Sequence, residues 1–377
     1  MGLITLIGSL GVGCNRDAIP PPVSTNTVAN TSSSGEHNSG DEKRQPIDPI
    51  EVNGPIFEDW PKPVGALVIS GEMLGYLEPC GCAGLDNQKG GLSRRDSLFK
   101  QLEEQGWPLA KIDLGGQIRR FGTQAGIKFD MALQALRIMK YGAVGFGASD
   151  LQLPAERLLS LVIDSENPFV AANVGFNNQS DLFAGIDFAP PWRVIDCGSK
   201  KIGITAMVGP SYQQQTNNPD LQFTPVRDAL KTVLPELQEQ GCDLLVVLSY
   251  ATPEESRELA GDFPEQIDLI VTAGGADEPP ADSQAIEGSK ARIVEVGHKG
   301  MYLAVIGFFD DTETPTRFQR VPLDSRFPES KTMYQLMVEY QSNLELAGFE
   351  ELGLRPVANH NGAFAGSESC RDCHEKQ

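Results

Sequence analysis

The sequence predicts an α/β sandwich with mixed sheets over residues 63–325. Three observations point there. Between residues 63 and 323, short apolar runs alternate with amphipathic stretches, the pattern of strands and helices in turn. Their order is β-α-β-α through most of that span, which builds layered α/β folds. The chain of 377 residues is long enough to bury a core without disulfides, and 40% hydrophobic residues plus 39 glycines reach an ordinary globular composition. Wholesale disorder is excluded.

Taken from the N-terminus, the apolar run 66–70 (ALVIS) predicts the first strand and the amphipathic stretch 92–104 the first helix. The runs 110–114 and 143–146 alternate with helices over 128–140 and 154–165. Strands follow over 169–174 and 201–207, then a helix over 226–239, a strand over 243–249 and a helix over 254–263. The body closes with strands over 269–272, 292–296 and 302–309. Beyond Pro328-Glu329-Ser330-Lys331, the segment 336–346 (LMVEYQSNLEL) has apolar positions near helical spacing and predicts a helical connector within 326–360.

Charge narrows the partners. Lys plus Arg number 31 against 51 Asp plus Glu, a formal charge of −20, and such a surface repels phosphate backbones. The pairs Arg94-Arg95, Arg119-Arg120 and Lys200-Lys201 are too short to track a nucleic acid.

The two ends carry signals of their own. The apolar run 3–12 is about half the roughly 20 residues that a membrane-spanning helix needs. Gly11-Val12-Gly13-Cys14 resembles a bacterial lipobox, which implies export, acylation of Cys14 and a lipoprotein tethered on the periplasmic side of a membrane. The other reading is a buried strand with an inert Cys14. Residues 15–62 read as a disordered linker, rich in Pro, Ser, Thr and Asn from 19 to 49, with a reach on the order of 30 Å. At the other end, Cys370, Cys373 and His374 form C-x-x-C-H, the attachment pattern for covalent c-type haem. Two thiols at that spacing reach two porphyrin vinyl groups, and the next imidazole ligates the iron. A redox C-x-x-C or half of a zinc site are the other readings. The surrounding phrase resembles the opening of a multihaem cytochrome c region, which implies electron transfer with redox partner proteins. Segment 361–377 is then the start of a region that continues past this sequence, with His298, His360 and the methionines as candidate sixth ligands.

The body's landmarks are 67–79 (LVISGEMLGYLEP), Gly90-Gly91-Leu92-Ser93-Arg94-Arg95, 112–116 (IDLGG), 141–150 (YGAVGFGASD), Ala171-Ala172-Asn173-Val174, 243–252 (DLLVVLSYAT), 267–276 (IDLIVTAGGA) and Val296-Gly297-His298-Lys299-Gly300. In this order they resemble the calcineurin-like metallophosphoesterases, specifically the catalytic domain of 5′-nucleotidases. That resemblance implies two divalent cations that activate water and clamp a phosphate. The ligand positions have changed, however. Glu72-Met73-Leu74 stands where the family has D-x-H, Gly116 replaces the aspartate of G-D, and Gly147-Ala148-Ser149-Asp150 replaces G-N-H-[DE]. Tyr250 stands for the histidine of S-H, and Gly274-Gly275-Ala276 for G-H-x-H. The resemblance therefore implies a catalytically degenerate body. Glu72, Asp113 and Asp150 are left as candidates for one hard cation, or for a divergent phosphoester hydrolase. Asn173 is the fourth candidate, more suited to bracing a strand end than to binding substrate.

Cys80-Gly81-Cys82 sits where the first metal loop belongs, and thiolates suit soft metals. With Cys197 and Cys242 it permits three disulfide pairings or one tetrathiolate site, although both of these lie in apolar surroundings typical of core thiols. His298 reads as a structural histidine near the end of the sheet, and Trp60, Trp107 and Trp192 as packing residues.

Overall fold

The computed structural model describes residues 48–81, 87–164, 166–177 and 185–354. Cys14, Cys82, His360, Cys370, Cys373 and His374 lie outside the described residues.

In chain order the elements are α1 (Pro49–Asn53), β1 (Gly65–Ser70), α2 (Leu92–Glu104), β2 (Leu109–Asp113), α3 (Thr123–Ile138), β3 (Ala143–Val144), α4 (Ala155–Val162), β4 (Val174–Phe176), β5 (Trp192–Cys197), β6 (Lys200–Val208) and α5 (Pro210–Gln213). Then come β7 (Leu221–Phe223), α6 (Val226–Glu239), β8 (Leu244–Tyr250), α7 (Pro253–Asp262), β9 (Leu269–Thr272), β10 (Gln284–Ala285), β11 (Arg292–Glu295), β12 (Tyr302–Phe308), β13 (Thr316–Pro322) and α8 (Lys331–Glu351). They form two mixed sheets, in the orders β13-β12-β1-β2-β3 and β10-β11-β9-β8-β6-β5, with β4 and β7 paired separately.

Side-chain alternation explains the layering. Along β1, Leu67 and Ile69 join a core between the sheets with Ile112, Ile204, Val246 and Val271, while Ala66 and Val68 face a second core with residues of α2, α3 and α8. On the far side of the second sheet, Val247 and Ile270 meet Leu230 and Leu234 of α6 and Leu259 of α7. A strand covered by the other sheet on one face and by helices on the other is buried on both, which is why β1 reads as an unbroken apolar run. At about 25 cal/mol per Å², such burial is the main term holding the layers together.

Several expectations need correction. The linker composition ends earlier than residue 62: Asp48 caps α1, Asn53 donates to Asp324 at 2.8 Å, and Trp60 stacks on Trp107 at 5.9 Å with Phe57 edge-on to both. Ile56, Phe57 and Trp60 give residues 48–62 apolar anchors that the average composition hides. The strand expected over 169–174 is a single bridge from Phe169 to Val144 followed by β4. Ala171 and Ala172 donate to Pro190 and Ala206 instead of extending one ladder. The edge strands β5 and β13, half-buried and mixed in polarity, escape the apolar pattern. The connector helix is not a spacer: Met333, Leu336 and Tyr340 of α8 are buried in the core shared with α2 and α3.

Cys197 and Cys242 are thiols rather than a disulfide, and burial pushes Cys197 up to about 11. Cys80 bridges in register with Lys89 beside the segment that holds Cys82.

Candidate functional site

The parallel strands β1, β2, β3, β8, β9 and β11 all send their C-terminal loops to one edge of the sandwich, the edge where α/β sheets place ligands. The loops after β1 and β2 are zipped together: Glu72, Leu74 and Gly75 donate their N–H groups to Gly115, Gly116 and Gln117, each at 2.8 Å. Glu72 and Leu74 adopt φ of 44° and 54°, left-handed backbone that costs a residue with a Cβ.

Asp150 lies at the centre, fully buried. Its Oδ2 accepts N–H groups from Gly116 (2.8 Å), Gln117 (3.2 Å) and Gly147 (2.8 Å), and its Oδ1 accepts from Ile118 (3.1 Å). Burial pushes its carboxyl up to about 6 against the opposing pull of these four donors. Asp113 is enclosed separately. Its Oδ1 accepts from Gly115 N–H (2.8 Å) and Gln117 Nε2 (2.6 Å), while its Oδ2 accepts from the Ser70 hydroxyl and lies 3.7 Å from buried Arg95.

Glu72 belongs to a third group. Its Oε1 accepts from the Tyr250 hydroxyl at 3.3 Å, and its Oε2 accepts from Gly274 N–H at 3.1 Å and faces His298 Nε2 at 3.3 Å. His298 Nδ1 lies 2.8 Å from Asp277, which also holds Lys299 at 3.3 Å. His298 thus enters the cleft, with both ring nitrogens within hydrogen-bond distance of carboxylates. Asn173 bonds Val208 in both directions, Nδ2 to its carbonyl and Oδ1 from its N–H, each at 2.9 Å, and so pins the end of β6.

Tyr250 fills the space between these groups. A Cβ built at Gly116 would lie 3.0 Å from its hydroxyl, and one at Gly147 would lie 2.9 Å from its ring. Burial, with the carboxylates of Glu72 and Asp150 nearby, holds this phenol well above its usual pKa, so it stays a hydrogen-bond donor. Sequence reasoning placed Tyr250 at a lost histidine but missed that it occupies the cleft; the glycines at 116 and 147 were the available signal. Among the described residues, no three His, Cys, Asp or Glu side chains converge as a metal site.

The Glu72–His298–Asp277 chain yields a pH prediction. Hydrogen bonds to Glu72 and Asp277 raise His298 from 6.5 to about 9, against the effect of burial. The stabilisation is full below about pH 6.5 and is lost as pH rises through about 9; with Asp277 exposed to solvent, screening holds it to on the order of 1 kcal/mol. In urea titrations between these pH values, His298→Ala should flatten the decline in midpoint shown by the parent chain.

Comparison with known proteins bears on the fold. No family profile matches the chain. An apyrase from Aedes aegypti is 21% identical over 227 residues, 54% of this chain and 39% of the apyrase. A 5′-nucleotidase precursor from Thermus thermophilus superposes with a TM-score of 0.60 at 19% identity, over 74% of this chain and 59% of that one. The Thermus thermophilus sulfate thiohydrolase SoxB gives 0.59 at 14% identity, over 76% and 61%. The calcineurin-like phosphoesterase YfkN from Bacillus subtilis gives 0.52 at 14% identity, over 74% and 96%. The chain spans about two fifths of the apyrase and three fifths of the 5′-nucleotidase precursor. The two packed mixed sheets with their flanking helices are the fold of the 5′-nucleotidase-like metallophosphoesterases.

Proposed function

We propose that this chain is an exported, membrane-tethered, c-type cytochrome-associated protein that serves electron transfer or acts as a scaffold, its 5′-nucleotidase-like body no longer hydrolysing phosphoesters. The observation that carries the loss of hydrolysis is Tyr250, whose phenol lies against Glu72, Gly116 and Gly147. The dinuclear site of the family that the sequence resembles needs carboxylate lone pairs and imidazoles around a common space. Here Asp150 spends its oxygens on four backbone N–H groups and Asp113 on Gly115, Gln117 and Ser70. That donor set does not fit the fold family's metal pair. The haem and lipid elements rest on Cys370, Cys373, His374 and Cys14 in the sequence.

Two assays test the proposal. The chain produced in a cytochrome-c-maturing host should carry covalent haem on a denaturing gel, and Cys370→Ser with Cys373→Ser should remove it; a blank gel from the parent chain defeats the haem assignment. Nucleotides and generic phosphoesters offered with Mg²⁺, Mn²⁺, Ca²⁺ or Zn²⁺ should show no turnover above background. Turnover abolished by chelation and restored by metal would establish the divergent-hydrolase alternative instead.

A further inference from the structure

A second cavity of about 310 Å³ opens beside the cleft, between the loops after β1 and β2 and the first turns of α3. Tyr76, Arg119, Arg120, Phe121, Gln124 and Lys128 supply its functional lining, and no carboxylate lines it. Nor do Glu72, Asp113, Asp150 or Tyr250, so it is separate from the closed cleft.

Its charge runs against the rest of the molecule. In a chain of formal charge −20, three cations converge on one concavity, and among the described residues none of them has a salt-bridge partner. Lys128 lies over the left-handed turn at Gly75, 3.6 Å from a Cβ built there, and burial together with the charge of Arg120 lowers its pKa. Gathering like charges without a counter-charge costs free energy that a bound anion recovers. The N-terminus of α3 adds to the same field: Gly122 offers no side-chain cap, and the first turn carries no acidic residue. Phe121, 82% exposed, and Tyr76 place aromatic surface at the rim.

We propose that this cavity binds a small organic anion through a phosphate or sulfate group, with Arg119, Arg120 and Lys128 holding the oxyanion and Tyr76 and Phe121 flanking the organic part. Arginine forks suit tetrahedral oxyanions, and Lys128 contributes a compact point charge. The volume lies at the lower end of small-molecule sites. The site requires no metal and stands whether or not the neighbouring cleft hydrolyses anything.

Calorimetric titration of the full chain in EDTA tests this with phenylphosphonate, which has no ester bond to cleave, alongside inorganic phosphate, sulfate and uncharged benzyl alcohol. Phenylphosphonate should bind saturably, more tightly than phosphate and more weakly as salt rises, while benzyl alcohol does not bind. R119A/R120A and K128A should each weaken binding at least tenfold with an unchanged melting temperature, whereas K231A, on α6, leaves it intact. Vesicles of phosphatidylcholine with and without phosphatidate separate the possible sources of the group. Pelleting with phosphatidate vesicles alone, lost in R119A/R120A, assigns the same oxyanion chemistry to a lipid headgroup. Absence of binding to both soluble anions and vesicles, or binding indifferent to these substitutions, overturns the proposal.

Discussion

Asp150→Ala is expected to destabilise the protein by at least about 3 kcal/mol, because each buried donor left without a partner costs roughly 1–3 kcal/mol. Four backbone N–H groups, from Gly116, Gln117, Ile118 and Gly147, lose their acceptor at once. These donors lie in the loops after β2 and β3, so the damage reaches both walls of the cleft. The melting temperature should fall by about 5 °C or more. Asp150→Asn, which retains one carbonyl oxygen, should lose less. The decisive comparison is between EDTA and millimolar Mg²⁺ or Mn²⁺. A brace for backbone donors gives the same loss in both. A metal ligand makes the parent chain's stability, and hence the loss, depend on the cation.

Tyr250→Ala should cost about 3–5 kcal/mol, the usual range for emptying a large aromatic from a core. Tyr250→Phe should cost only about 0.5–1.5 kcal/mol, since it removes the hydroxyl bonded to Glu72 at 3.3 Å and keeps the ring. The filling role can be isolated with Gly116. Gly116→Asp introduces an acidic side chain whose Cβ would lie 3.0 Å from the Tyr250 hydroxyl and 3.2 Å from the Glu72 Cα, on backbone with φ +77°. In the parent chain this substitution should be strongly destabilising. In the Tyr250→Ala background its penalty should shrink by more than about 1 kcal/mol, because contacting residues couple on that scale. Equal penalties in both backgrounds, measured by urea unfolding, would show that Tyr250 does not fill the space.

Much of the fold was readable from the chain because its periodicities are local. The bounds expected for α2, α6 and β9 coincide with those observed. The helix expected from residue 128 begins at Thr123, since its first turn is polar and lacks an apolar stripe to announce it. The segment 48–62 was obscured for a related reason: a few aromatic anchors count for little in composition and for much in packing. Leu74, Gly116, Ala148 and Tyr250 were legible in the sequence as residues that depart from the motifs the chain resembles.

By itself, then, the sequence determined an α/β body with mixed sheets, the non-histidine residues at 74, 148 and 250, and a C-x-x-C-H pattern near one end. Tertiary structure alone decided what meets at the cleft. Glu72 meets Tyr250 and Gly274 across 178 and 202 residues of chain, and no local pattern encodes such a meeting. It follows from strand order, which brings the loops of both sheets to one edge. There, buried carboxylates must find donors, and the donors within reach are backbone N–H groups, the Ser70 hydroxyl, the Gln117 amide, the Tyr250 phenol and His298.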